Sequence, residues 1–318
     1  MSNDDRNLEL GPGAEFDTVR TMLSRWGGLA HGVGDDAALL DVPAGSRLAV
    51  STDTSVENVH FRREWLSAEE IAYRAVAAAL SDLAAMAATP LGIVLALTLT
   101  PQWRAQVERL ADGFARAARE FGAPIVGGDL SAGSELVIGV TVLGAVERPL
   151  ARSGARAGDV LWVTGRLGGP LLALRAMQDG RAPLPEHRDR FAHPVPRLRE
   201  GRWLAAHGAT AAIDCSDGIA ADASHLAAAS GARIILDLDR LPLVAGASAR
   251  DAAQSGEEYE LVVTAPGALD HQSFEQEFGV PLTAVGRVEA AGAGGAGVQA
   301  LEEGQPVPLP RGHSHFSG

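Results

Sequence analysis

Residues 47–99 read RLAVSTDTSVENVHFRREWLSAEEIAYRAVAAALSDLAAMAATPLGIVLALTL, and their pattern predicts a strand, a helix and a second strand. The first strand ends in a polar cluster at residues 52–54. Ser67, followed by Glu70 three residues later, is typical of a capping box that starts a helix. The apolar run at residues 92–99 predicts a buried strand.

The same alternation continues after this segment. A helix is predicted over residues 102–120, with strands at residues 124–127 and 136–146 after it. A polar, glycine-bearing stretch at residues 148–159 interrupts the pattern, and the alternation then starts again with a strand at residues 160–164. The predicted fold class is therefore α+β or mixed α/β in two domains, a sheet-plus-helices domain at residues 1–148 and an α/β domain at residues 149–318.

In the second domain, a strand is predicted to end at residue 213, and a helix follows it over residues 218–230. A proline-rich joint at residues 182–196 precedes them. This order places an acidic stretch between the strand and the helix.

The composition excludes several classes of protein. The formal net charge is −13 and no basic run interrupts the chain, which makes it a poor electrostatic match for nucleic acid. All 27 basic residues are arginine, so nucleotide sites that need a particular lysine, such as the Walker A loop, are excluded. No apolar run is long enough for a membrane span, and the single cysteine, Cys215, fits a reducing compartment. We therefore expect a cytoplasmic location.

Aspartates in small, apolar surroundings are the most informative residues. Asp82 is the only charged residue between Ala75 and Thr89. Five more stand beside apolar strands or glycine-rich turns: Asp36, Asp53, Asp129, Asp214 and Asp217. Burying a carboxylate without a partner is unfavourable by several kcal/mol, whereas clustered hard oxygen atoms suit Mg²⁺ that bridges phosphates.

Each aspartate also has an ordinary interpretation. Asp217 could cap a helix, Asp36 and Asp129 could occupy turns, and Asp82 could be solvated. Taken together, the aspartates favour a site where metal ions, rather than lysines, bring positive charge to a nucleotide. Arg152, in the stretch between the domains, is the arginine we expect beside the phosphates, although a solvated linker arginine is the open alternative.

Eight stretches of the sequence resemble the thiamine-monophosphate kinase family, within the aminoimidazole-ribonucleotide-synthetase-like superfamily. The resemblance extends over residues 13–316. The matching stretches are GAEF (13–16), GVGDDAALL (32–40), STDTSVENVHF (51–61), LSDLAAMAATP (80–90), VGGDLSAG (126–133), ARSGARAGD (151–159), IDCSDGIAADASHL (213–226) and SGEEYEL (255–261).

The resemblance implies ATP-dependent phosphorylation of thiamine monophosphate to thiamine diphosphate by direct in-line transfer, the last step in making thiamine diphosphate. It implies that several Mg²⁺ ions are bound by Asp36, Ser51, Thr52, Asp53, Asp82, Asp129, Asp214 and Asp217. Of these, we expect Asp53, Asp82, Asp129 and Asp217 to be catalytic. It further implies a homodimer joined through the N-terminal sheets.

The resemblance also implies which residues contact the two substrates. For ATP these are Gly128, Asp129, Arg152 and Ser216. Phe121 is expected against the adenine, with a core phenylalanine as the alternative. For thiamine monophosphate they are His60 and Glu257, together with His313 and Phe316 near the C-terminus.

Three positions depart from the family pattern. The family usually has Gly-Gly-Glu-Asp-Tyr-Glu-Leu, and this chain has Ser255 and Glu258 at the first and fourth positions. A serine is expected to lose backbone freedom at a turn. His313 stands where the family tends to have an aromatic residue, and it would stack less well on the substrate rings. The alternatives left open are an aminoimidazole ribonucleotide synthetase-like enzyme that uses ATP, and a non-catalytic nucleotide-binding relative.

Overall fold

The computed structural model describes residues 7, 10, 12–34, 36–267 and 269–312. The chain forms two compact units. The first contains Met1–Leu83 and Thr89–Glu147, and the second contains Ala84–Ala88 and Arg148–Gly318. None of the helices in the described ranges combines the length and apolarity that a membrane span requires.

The first unit is a four-stranded sheet covered by helices. Its strands occur in the spatial order β1-β4-β2-β3. The elements are α1 (Ala14–Trp26), β1 (Arg47–Val56), α2 (Ala68–Ala85), β2 (Thr89–Leu99), α3 (Pro101–Arg104), α4 (Val107–Phe121), β3 (Ile125–Ala132) and β4 (Val137–Val146).

One face of this sheet is covered and the other is open. Alternate residues of β4, such as Ile138 and Val140, are buried. On the opposite face of β1, Leu48 and Val50 are 48% and 59% exposed. Alternation of this kind is expected of a sheet with a single buried face.

The helices of the first unit pack closely because small residues line their contacts. A Cβ atom at Gly113 of α4 would lie 2.2 Å from the carbonyl oxygen of Glu69 on α2. Only glycine allows the two helix backbones to approach this far. The capping box that starts α2 is present: the Ser67 amide donates to Glu70 at 2.8 Å, and the Glu70 amide donates to the Ser67 hydroxyl at 3.3 Å.

The second unit is built on a seven-stranded mixed sheet. The spatial order is β11-β10-β7-β9-β5-β8-β6. The elements are β5 (Val160–Thr164), α5 (Gly169–Gln178), α6 (Pro185–Ala192), α7 (Leu198–Ala206), β6 (Ala211–Asp214), α8 (Ile219–Ser230), β7 (Ala232–Asp237), α9 (Ala249–Gln254), β8 (Leu261–Ala265), α10 (His271–Phe278), β9 (Leu282–Ala290), β10 (Gly297–Glu302) and β11 (Gln305–Val307).

Helix α8 packs on the core of this unit. Its buried residues Ile219, Ala223 and Leu226 join Ile213 of β6 and Ile234 of β7 in one apolar cluster. The cluster fixes the short loop between β6 and α8, because both elements that flank the loop are held by burial.

The structure confirms the predicted mixed α/β fold and corrects several element boundaries. The predicted helix over residues 102–120 is two helices, because Trp103 turns inward to donate from Nε1 to Glu57 at 2.8 Å. The proline-rich joint contains α6, whose first position is taken by a proline that needs no amide partner. The prediction omitted α1, α9, α10, β10 and β11.

Strand ends were also predicted too early. β1 continues to Val56 and β3 to Ala132, so Asp53 and Asp129 lie inside strands and not after them. Both strands occupy edges of the four-stranded sheet in the described part of the chain. Polar residues are tolerated there because one side of an edge strand faces solvent.

Candidate functional site

Ser51, Asp53 and Asp82 form a polar group on the helix-covered side of the first sheet. Ser51 and Asp53 are two residues apart on β1, so their side chains share a face. The Ser51 hydroxyl donates to the Asp82 carboxylate at 2.5 Å. Burial, and then the charge of Asp82, raise the pKa of Asp53 to about 6. An acid in this setting gains from any cation or proton that lowers the local negative charge.

Thr52 does not join this group through its side chain. It lies between Ser51 and Asp53 on β1, so its side chain points to the opposite face of the sheet. There its hydroxyl accepts a hydrogen bond from Thr141 at 3.1 Å.

A cavity of about 440 Å³ opens beside β3 in the first unit, and three predicted residues line it: Asp36, Gly128 and Asp129. Its apolar wall includes Phe16, Met22 and Trp26. The fold requires glycine at position 128, since a Cβ atom there would lie 2.2 Å from the carbonyl oxygen of Leu95. Carboxylates thus border a cavity whose lining is part polar and part apolar, an arrangement common in ligand sites.

The two groups of the first unit lie at different edges of its sheet. Asp53 aligns with Val140 of β4, which aligns with Leu95 of β2, which aligns with Gly128 of β3. Three strand spacings amount to about 14 Å. The structure therefore places Asp53 beside Asp82 at one edge of the sheet, whereas Asp129 and Asp36 line the cavity at the other edge.

His60 and Phe121 have local partners. The amide of Val56 donates to His60 Nδ1 at 3.1 Å, so a neutral ring carries its proton on Nε2. Arg74 donates to the His60 carbonyl oxygen at 3.2 Å, which holds the turn that follows β1. Phe121, the last residue of α4, packs at 5.6 Å between ring centroids against Tyr73.

The second unit holds a group of three aspartates around the β6–α8 loop. Asp214 ends β6 and is 5% exposed, and Asp222, in the first turn of α8, is 1% exposed. Burial raises the pKa of Asp222 to about 8, and the charges of Asp214 and Asp217 add to this. Ser216, the predicted ATP contact, lies on the same loop.

The segment that contains Glu257 is paired with this loop. The amide of Glu257 donates to the Ser216 carbonyl oxygen at 2.8 Å, and the amide of Tyr259 donates to the Cys215 carbonyl oxygen at 2.9 Å. Glu257 and Tyr259 have φ values of 59° and 52°, in the left-handed region that non-glycine residues seldom adopt. Strain at functional segments of this kind is held in place by the surrounding structure.

Ser255 departs from the family pattern without straining the backbone. Its φ is −67°, which any residue adopts. It is fully buried, and its hydroxyl accepts a hydrogen bond from the amide of Leu171 at 3.3 Å. The expected loss of backbone freedom at this position therefore has no consequence, and the positive φ values occur further along the segment.

Arg152 is exposed on the segment that runs beside β6. The carbonyl oxygen of Ala151 accepts from the Ala212 amide at 3.1 Å, and the carbonyl oxygen of Arg152 accepts from Ser230 at 3.0 Å. The same Ser230 oxygen accepts from the amides of Gly154 and Ala155. The backbone of Arg152 is thus fixed, and its guanidinium faces solvent. His313 and Phe316 lie outside the described residues.

Asp222 is the residue of this site that the sequence interpretation missed. It lies within the stretch IDCSDGIAADASHL, where it looks like an ordinary acid in the first turn of a helix. The available signal was its position four residues after Gly218, on the side of α8 that also carries buried Leu226. Across the described ranges, no three histidine, cysteine or acidic side chains could hold a metal ion by themselves.

Two family models match the chain. The N-terminal domain of AIR synthase related proteins matches residues 34–146, and the C-terminal domain of the same proteins matches residues 156–299. Among curated proteins, thiamine-monophosphate kinase of Salmonella typhimurium is 36% identical over 322 aligned positions. The alignment covers 95% of this chain and 96% of that protein.

Solved structures have the same architecture. The crystal structure of thiamine-monophosphate kinase from Stenotrophomonas maltophilia K279a is 34% identical, with a TM-score of 0.80 and coverage of 95% of this chain and 100% of that one. AaThiL complexed with AMPPCP and TMP is 29% identical, with a TM-score of 0.75 and coverage of 88% and 90%.

Proposed function

The chain belongs to the thiamine-monophosphate kinase family, and we propose that it transfers the γ-phosphoryl group of ATP to the phosphate of thiamine monophosphate. The products are thiamine diphosphate and ADP. The observation that carries this proposal is the 36% identity to the Salmonella typhimurium enzyme over 95% of the chain. The structure of a relative complexed with AMPPCP and TMP supports the choice of both substrates.

The reaction needs charge neutralisation and alignment more than proton transfer. A phosphate monoester has a second pKa of about 6, so the acceptor phosphate is already largely ionised at neutral pH. An oxygen of that phosphate forms the new bond to the γ-phosphorus as the bond between this phosphorus and the bridging oxygen of ADP breaks. No general base is required, and catalysis depends on in-line positioning of two groups that repel each other.

The donor atoms present suit Mg²⁺. We propose Ser51, Asp53 and Asp82 as one set of ligands, Asp36 and Asp129 as a second, and Asp214 with Asp217 as a third. All supply hard carboxylate or hydroxyl oxygens, and the raised pKa of Asp53 reflects burial and a neighbouring negative charge that a cation would offset. Bound Mg²⁺ would neutralise the phosphates and polarise them toward transfer.

These sets are incomplete as metal sites, which fits a nucleotide-dependent role. No described group of three acidic, histidine or cysteine side chains could hold an ion alone, so further oxygen ligands are needed. The phosphate oxygens of ATP are such ligands. Thr52, predicted as a ligand, could contribute only its backbone to the set on the helix-covered face, because its side chain points away.

The remaining predicted residues are assigned to the two substrates. Gly128 is assigned to ATP because it lines the cavity beside β3, and Arg152 offers a planar donor fork to phosphate oxygens. Ser216 lies on the loop beside Asp214 and Asp217. His60 and Glu257 are assigned to thiamine monophosphate, with an Nε2–H donor on His60 as the expected contact.

We also propose a homodimer formed through the open face of the first sheet. Leu48 and Val50 of β1 are exposed on that face, where a second sheet would bury them. The cytoplasmic location predicted from the sequence remains a prediction.

The test is direct. Purified protein is incubated with MgATP and thiamine monophosphate, and thiamine diphosphate and ADP are quantified by chromatography. Equal amounts of the two products, formed only when both substrates and Mg²⁺ are present, are expected. Binding of ATP without product would favour the non-catalytic relative. Phosphate release without acceptor would indicate a hydrolase, and ATP use that requires an acceptor other than thiamine monophosphate would favour the synthetase-like alternative.

A further inference from the structure

The loop between β6 and α8 contains three residues assigned above to metal and ATP: Asp214, Ser216 and Asp217. A short loop of this kind leaves backbone amides without partners, and those amides must be satisfied for the loop to hold one shape. The question is which group satisfies them.

Asp222 accepts a hydrogen bond from this loop and has two further donors beside it. The amide of Gly218 donates to its carboxylate at 3.0 Å. The thiol of Cys215 and the amide of Asp217 favour the charged form of Asp222, since both act to lower its pKa against the effect of burial. Asp222 is 1% exposed, so solvent does not compete for these donors.

The other side of the loop is held by backbone groups. The amide of Cys215 donates to the Glu260 carbonyl oxygen at 2.7 Å, and the carbonyl oxygens of Cys215 and Ser216 accept from Tyr259 and Glu257. Asp222 is therefore the side chain that completes the hydrogen bonding of the loop from within α8. It is buried at 1% exposure, so it is placed to shape the loop and not to contact substrate.

We propose that Asp222 is a positioning residue that holds the Cys215–Gly218 backbone in the shape required for binding MgATP. The effect on MgATP rests on the proposed function, whereas the effect on loop order does not. Asparagine at this position keeps one acceptor oxygen and introduces an NH₂ group that opposes an N–H or S–H donor. Asp222→Asn should therefore loosen the loop while changing the side-chain volume little.

Cys215 provides a readout that is independent of catalysis. It is the only cysteine of the chain and is buried, so a thiol reagent reaches it only when the loop opens. Without Mg²⁺ or nucleotide, Asp222→Asn should be labelled at Cys215 about tenfold faster than wild type, because the hydrogen bonding that holds the loop closed is weakened. The matched control is Asp270→Asn, which changes an exposed helix cap in the same unit and should label within about twofold of wild type.

Steady-state kinetics then distinguish a role of Asp222 in positioning the loop from a role in the overall stability of the protein. If the enzyme is the proposed kinase, Asp222→Asn should raise the KM for ATP about tenfold, which corresponds to about 1.4 kcal/mol, and leave the KM for thiamine monophosphate within about twofold. Inactive wild-type protein would defeat the proposed function and leave the labelling result standing. Unchanged labelling of folded Asp222→Asn, or an equal increase in Asp270→Asn, would overturn the positioning role.

A measurement on wild-type protein covers the case in which Asp222→Asn does not fold. Hydrogen exchange of the amides of Asp217 and Gly218 should be strongly protected, although both lie in a loop. Exchange at the rate of an open loop would overturn the proposal.

Discussion

Glu260 and Asp222 are both buried acids of the second unit, and their surroundings are opposite. Glu260 accepts two hydrogen bonds from Arg197, at 2.7 and 2.6 Å, and one from Thr164 at 2.7 Å. Asp222 faces the carboxylates of Asp214 and Asp217 instead. Burial opposes ionisation of both, but the arginines bring the pKa of Glu260 below its usual value, whereas the pKa of Asp222 is raised to about 8.

The first unit repeats the contrast. Glu57 accepts from the Trp103 indole at 2.8 Å and the Leu136 amide at 3.1 Å, and it pairs with Arg63 at 3.2 Å. Its pKa is lowered despite burial, whereas that of Asp53 is raised by burial and by Asp82. We call Glu57 and Glu260 the matched acids, and Asp53 and Asp222 the unmatched acids.

The comparison teaches how to sort acids by role. A matched acid has its positive partner inside the protein, so its contribution is to stability. An unmatched acid faces like charge, which destabilises the metal-free fold at Asp53, whereas the hydrogen bond from Gly218 offsets this effect at Asp222. An arrangement of that kind persists where function requires it.

The largest effect is expected at the unmatched acid of the first unit. Asp53→Asn should lower kinase activity by about a thousandfold, because a ligand that neutralises the transferring phosphate is lost. Without metal, its thermal midpoint should equal or exceed that of wild type, because a like-charge contact with Asp82 is relieved. Activity assays and thermal melts in EDTA measure both. A large drop in the metal-free midpoint would make Asp53 a structural residue.

Removing the charge of a matched acid should instead destabilise the protein. Glu260→Gln removes the closer of the two carboxylates that pair with the buried guanidinium of Arg197 and leaves only Glu200 at 3.7 Å, so the free energy of unfolding should fall by about 3–5 kcal/mol. Urea unfolding at neutral pH measures it. Glu289→Gln, which removes an exposed pair with Arg287, is the control and should change stability by less than about 1 kcal/mol. Equal losses in the two variants would remove the basis of the division.

Arginines can be divided in the same way, and Arg152 is the one that we assign to ATP. It is exposed, whereas Arg197 is committed to Glu260. Arg152→Lys should lower kcat/KM about tenfold, because lysine keeps the charge and loses the planar fork that binds phosphate with two donors. Stability should be unchanged. Arg287→Lys is the matched control, and wild-type kinetics in Arg152→Lys would exclude Arg152 from the site.

The pH dependence of the metal-free fold should follow the unmatched acids. The folded-state pKa of Asp53, about 6, exceeds its ordinary value of 3.8, so protonation of Asp53 stabilises the fold. This contribution to the free energy of unfolding is complete below pH 3.8 and is lost as pH rises through 6. Between pH 4 and 7 in EDTA, the thermal midpoint of wild type should fall as pH rises, and that of Asp53→Asn should fall by about 2–4 °C less. Parallel profiles for the two proteins would contradict the raised pKa.

The smallest effect concerns Ser255, whose buried hydroxyl accepts from the Leu171 amide at 3.3 Å. Ser255→Gly restores the residue that the family pattern has, yet it should lower the free energy of unfolding by about 1 kcal/mol through the lost hydrogen bond. The KM for thiamine monophosphate should not improve. A lower KM would mean that the serine does impair the acceptor site. Urea unfolding and steady-state kinetics provide the two values.

Local pattern predicted much of the fold and less of the site. The capping box at Ser67, the strand Val160–Thr164 and the helix after residue 218 were accessible because each depends on neighbours in sequence. The break between α3 and α4 was not, because it depends on Trp103 reaching Glu57, 46 residues away. The extension of β1 through Asp53 depends likewise on pairing with β4.

The order of residues determined the alternation of strands and helices, the absence of lysine and the positions of the aspartates along the chain. These are properties of composition and short-range spacing, and they suffice to relate the chain to its family. Only the tertiary structure decided which acids have arginine partners and which face one another, because charges interact through space over a few ångströms whatever their separation in sequence. That is why Glu260 and Asp222, similar in the sequence as acids beside apolar segments, differ in what they do.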